Sequence, residues 1–81
     1  GEAHKAIEFY KERLVSAREI GDRRGECAAL GNVGLAHRIT GETRGAIDFC
    51  RQQLAVAGEI GERRSEGIAL GNLGNAWADL G

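Results

Sequence analysis

Two histidines, two cysteines and a set of arginines and asparagines are the side chains of this 81-residue chain most able to do chemistry. A thiol beside an imidazole would make a nucleophile with its base, but only within hydrogen-bond reach. Cys27 and His37 stand ten positions apart in one helical stretch, which is about 15 Å along the axis, so they form no dyad within that helix. There is no Ser/Cys–His–Asp set, no metal-ligand spacing and no phosphate-binding glycine loop. Two cysteines, Cys27 and Cys50, are too few for a disulfide framework, and their spacing matches no repeated metal site. They read as free buried thiols in a reducing compartment, which gives a cytoplasmic expectation. His37 reads as a packing residue and His4 as a surface residue. These side chains predict no enzyme, no metal and no cofactor.

Binding chemistry is better represented. Asn32, Asn72 and Asn75 lie inside helical sequence, where asparagine is a poor helix former and wants a reason to be present. An amide offers both a donor and an acceptor. It can serve a ligand, or it can bond a neighbouring turn. Arg23, Arg24, Arg63 and Arg64 open two helices, although cations there oppose the helix dipole. Either they pair with Glu19, Asp22 and Glu26 and the counterparts Glu59, Glu62 and Glu66, or they present guanidinium groups to acidic side chains of a partner. The net charge of −1 supplies no global field to draw in nucleic acid or an anionic membrane. No apolar run approaches the roughly 20 residues of a membrane span, and no secretory segment opens the chain. The missing initiator Met points to a processed, excised or engineered piece.

The elements that must position these residues follow from glycine. It falls at positions 1, 21, 41, 61 and 81, each able to close a helix in the left-handed conformation. The spacing predicts four helices, roughly 2–20, 23–40, 42–60 and 62–80, with Asp22 as an N-cap. A deeper period of forty places nineteen identical residues in register when 1–40 is laid over 41–80, the mark of stacked helical hairpins. In the first helix Ala6, Ile7, Tyr10, Leu14, Ala17 and Ile20 form a stripe that Phe9 widens, so that helix is expected to touch two neighbours. Gly31 and Gly34 are costly inside a helix and predict close approach of another backbone. Gly71 and Gly74 repeat the device. The expected fold is all-α: four antiparallel helices stacked as an α-solenoid. It forms one domain, 1–81, with repeat one at 1–40 and repeat two at 41–81.

The chain resembles the tetratricopeptide repeat family. Leu70-x-x-Leu73-Gly74-x-x-Trp77 fits the pattern of that family's first helix, and Leu30-x-x-Val33-Gly34-x-x-His37 fits it with two substitutions. Ala6-x-x-x-Tyr10 fits the second helix, and Ala46-x-x-x-Cys50 fits it with Cys for the aromatic. The forty-residue period and the triplets Leu30-Gly31-Asn32, Leu70-Gly71-Asn72 and Leu73-Gly74-Asn75 are similar to the Leu-Gly-Asn repeats of spindle-orienting adaptors and of long arrays in bacterial signalling proteins. The resemblance implies a superhelix whose first-type helices line a concave groove that holds a protein or peptide, an acidic one among the candidates. It implies peptide contact for Asn32, Asn72 and Asn75, aided by Arg38, Arg24 and Arg64, with Leu35, Asp79, Ala28 and Ile68 on the same face. The chain departs from the family in register, because it starts on a second-type helix and ends on a first-type helix. Its ends lack polar caps. The alternative expectation is therefore a self-association module, a dimer or open superhelix joined through Ile68, Leu73, Trp77 and Leu80 of the last helix and Phe9 and Tyr10 of the first.

Overall fold

Three left-handed glycines set the corners of the fold. Gly21, Gly41 and Gly61 have φ of 73°, 83° and 69°, a region open to glycine at no steric cost. The computed structural model describes all 81 residues and contains four helices: α1 Glu2–Ile20, α2 Arg23–Ile39, α3 Thr43–Ile60 and α4 Arg63–Leu80. Each corner is closed by the same two bonds. The Asp22, Glu42 and Glu62 N–H groups donate to the carbonyls of Ala17, His37 and Ala57 at 2.8, 2.8 and 2.9 Å, and the preceding glycines donate to Arg18, Arg38 and Gly58. These bonds satisfy the last carbonyls of each helix and turn the chain back within two or three residues.

Helix starts differ among the corners. Asp22 caps α2, its Oδ1 accepting from the Gly25 N–H at 2.9 Å. A Cβ at position 25 would come within 2.4 Å of the Asp22 carboxylate, so glycine makes room for the cap. Glu42 and Glu62, expected inside their helices, are instead the flanking residues and form no capping bond. Thr40 likewise lies just beyond α2.

The helices zigzag between two layers, α1 and α3 in one and α2 and α4 in the other, within a slab of 35 × 27 × 15 Å. The main core joins Leu14 of α1, Cys27, Ala29 and Leu30 of α2, and Val56 and Ala57 of α3, with Phe49 against it. A smaller cluster of Ala46, Ile47 and Ala76, flanked by Leu73, ties α3 to α4. No helix is long and apolar enough to cross a membrane.

Expectations about close packing are met in part. The α1 backbone approaches α2 alone, but its side chains also reach α3, with Leu14 in the core beside Val56 and Ala57 and Arg18 Nη2 donating to Gln52 Oε1 at 3.2 Å, while Phe9 is 66% exposed. Gly34 meets the α3 backbone as expected, as well as the Cys50 side chain, whereas Gly31 meets the Gln53 side chain. A Cβ at 34 would lie 2.8 Å from Cys50 Sγ and 3.5 Å from the Ala46 carbonyl, and one at 31 would lie 2.5 Å from Gln53 Nε2. Around Gly71 and Gly74 nothing lies within 4 Å, so the device repeated in α4 is unused within the chain.

Candidate functional site

The polar residues singled out from sequence gather along α2 and α4, the two helices of one layer. Ion pairs join these helices near both ends. At their starts Arg24 Nη1 lies 3.6 Å from Glu62 Oε2. At their ends Arg38 Nε donates to Asp79 Oδ2 at 2.6 Å, with Nη2 reaching Oδ1 at 3.4 Å. The hydrogen bond raises the Arg38 guanidinium further above its ordinary value and lowers the Asp79 carboxyl. The guanidinium of Arg38 is thus paired within the chain. Arg64 has no carboxylate within pairing distance.

Between these clasps lie the amides. Asn32 and Asn75 are exposed and Asn72 is half-buried. None of the three makes a side-chain hydrogen bond inside the chain. Of the two uses open to them, a bond to a neighbouring turn does not occur. Asn32 borders a shallow groove of about 130 Å³ between α1 and α2, lined by Ala6, Tyr10, Leu35 and Ile39.

No family model matches the chain, and no curated protein matches it either. The site is therefore described by its own chemistry.

The arginines at the helix starts are mostly paired. Arg23 bonds Glu26 at 2.7 Å and also Glu59, and Arg63 lies 3.7 Å from Glu66. Glu26 is the one buried carboxylate, held from two sides by Arg23 and by Arg18 Nε at 3.1 Å. Burial raises its carboxyl, and the two guanidinium groups more than reverse that, leaving it below the ordinary value. The Arg23–Glu26 pair is one of the two readings the sequence allows, but sequence reading missed Arg18's part in it because Arg18 has no repeat counterpart, position 58 being glycine.

The thiols are buried and unpaired. Burial pushes both of them up, away from the thiolate form. His37 stacks on Phe49 with ring centroids 5.3 Å apart and 11° between planes. Its Nδ1 lies 2.8 Å from a Glu42 oxygen, but the direction of approach gives no hydrogen bond. His4 is exposed, 3.7 Å from the other Glu42 oxygen. No three His, Cys, Asp or Glu side chains are placed to share a metal ion.

The apolar candidates fall at opposite ends of the slab. On α4, Ile68, Trp77 and Leu80 are exposed, while Leu73 is half-buried against Ala46, Ile47 and Ala76. The Arg51 guanidinium lies 5.6 Å from the Trp77 ring centroid. On α1, Tyr10 is half-buried, and Phe9 opens a crevice of about 400 Å³ that runs past Arg13, Ser16, Ala17 and Ile20. Leu70, of the same α4 stripe, is 57% exposed where its counterpart Leu30 is wholly buried. The forty-residue alignment carries that signal, since a residue buried in one repeat is stranded in the other.

Proposed function

We propose that the chain is a non-enzymatic protein-interaction module: two tetratricopeptide-like repeats of an α-solenoid whose α2–α4 face holds an extended peptide. The observation that supports this reading is the set of three amides on α2 and α4, none bonded within the chain. An extended peptide offers backbone N–H and C=O groups in alternation, and each amide can meet one of each. The Arg24–Glu62 and Arg38–Asp79 clasps hold the two helices side by side, so the amides keep a fixed spacing. Arg64, free of an internal carboxylate, would meet an acidic side chain of the peptide. Arg24 and Arg38, paired but still partly exposed, would add to the same contact.

The test begins with selection from a random peptide library on the immobilised chain. Affinities of the selected peptides are then measured for the parent and for the Asn32→Ala, Asn72→Ala double variant. The double variant is expected to bind at least about tenfold more weakly, for two lost hydrogen bonds at about 1 kcal/mol each. Full affinity in that variant would overturn the assignment.

A further inference from the structure

Three neighbouring helix pairs pack in the chain, α1–α2, α2–α3 and α3–α4. The forty-residue shift relates the first to the third, while the α2–α3 contact occurs once, and the exposed faces of α4 and α1 are the two halves of a second one. In the α2–α3 contact Leu30 is wholly buried against Val56 and Ala57. Gly34 clears Cys50, His37 stacks on Phe49, and Arg23 pairs with Glu59. Adding forty to each α2 number gives Leu70, Gly74, Trp77 and Arg63 on α4. Subtracting forty from each α3 number gives Ser16, Ala17, Tyr10, Phe9 and Glu19 on α1. The large apolar residues among these are open, with Leu70 at 57%, Trp77 at 51% and Phe9 at 66% exposure, and Gly74 has nothing within 4 Å.

We propose that α4 of one copy docks on α1 of a second copy in the register of the internal α2–α3 contact. Leu70 enters the crevice beside Phe9, Ser16 and Ala17. Trp77 stacks on Phe9 as His37 does on Phe49. Tyr10, bulkier than Cys50, lies over Gly74, where the missing side chain leaves room. Arg63 meets Glu19 as Arg23 meets Glu59, so the charges at the edge of the contact are complementary, the feature that fixes register. The contact joins unlike faces, so it leaves a free α4 and a free α1 at its ends and continues into a larger assembly unless it closes into a ring. It rests on residues separate from the amides of the peptide reading.

The experiment is absolute mass by light scattering over a wide concentration range, for the parent, Gly74→Lys, Arg63→Glu and Glu19→Arg. Gly74→Lys keeps the monomer fold, because position 74 is open and lysine is a good helix former. Circular dichroism checks this. The parent mass should rise with concentration, and Gly74→Lys should weaken association about tenfold or more. Arg63→Glu and Glu19→Arg should each weaken it alone and recover it when mixed, since each then offers the other an opposite charge. If Gly74→Lys is unfolded, recovery on mixing decides the matter. A parent that stays monomeric throughout overturns the proposal. So does association that persists in a folded Gly74→Lys, or charge variants that fail to rescue one another.

Discussion

Adding a methyl group at position 34 or at position 74 makes the same chemical change in two different surroundings. Both glycines cost a helix about 1 kcal/mol relative to alanine. At 74 the methyl meets nothing within 4 Å, so Gly74→Ala should raise the stability of the dilute chain by about 0.5–1 kcal/mol. At 34 it must displace the buried Cys50 sulfur. Overpacking of that kind costs about 1–3 kcal/mol, so Gly34→Ala should be neutral or destabilising, and urea denaturation of the two variants measures the gap. Glu26 supplies a pH dependence. Its carboxyl is held below the ordinary 4.5 by Arg18 and Arg23. A carboxyl depressed in the folded state contributes stability in full above its unfolded value, and loses it as pH falls through the folded value. Thermal unfolding across that acid range should show a shallower loss in Glu26→Gln than in the parent, with the variant already weaker at neutral pH.

At the scale of the element, each corner combines a left-handed glycine with a helix start, and the two parts have separable costs. Asp22→Ala removes the only side-chain N-cap in the chain and should cost about 1 kcal/mol. Gly61→Ala forces an L-residue to φ 69° and should cost about 1–2 kcal/mol. Both are read from thermal or urea denaturation. These local features were legible in sequence because their chemistry is local: only glycine takes the turn freely, and Asp22 stands next to the helix it caps. The repeat also foretold that helix existence and length would match between halves. Side-chain partnerships were much less legible. Arg38 meets Asp79 across 41 positions, and nothing near either residue announces the other. Phe9 and Phe49 share a stripe position, yet their burial differs because burial depends on which helix lies opposite. The free state of the asparagines was similarly hidden, since an amide's partner is set by the tertiary arrangement.

Across the whole molecule, burial is uneven. The middle helices α2 and α3 hold nine and six buried residues, against three in α1 and two in α4. Hydrogen exchange should follow that gradient: amides of α2 and α3 should be the slowest, with α1 and α4 opening first. Raising the concentration should protect α1 and α4 selectively if copies dock end to end. The zigzag path also has a kinetic meaning. Backbone contacts never reach from α1 to α3 or α4, so little chain entropy is spent before each contact forms, and such low-contact-order helical chains fold in microseconds to milliseconds. The sequence has no proline, which removes prolyl isomerisation as a source of delay. Refolding of the dilute chain should therefore finish in one fast phase in a stopped-flow experiment, and any slower phase that quickens with concentration would time the meeting of separate molecules.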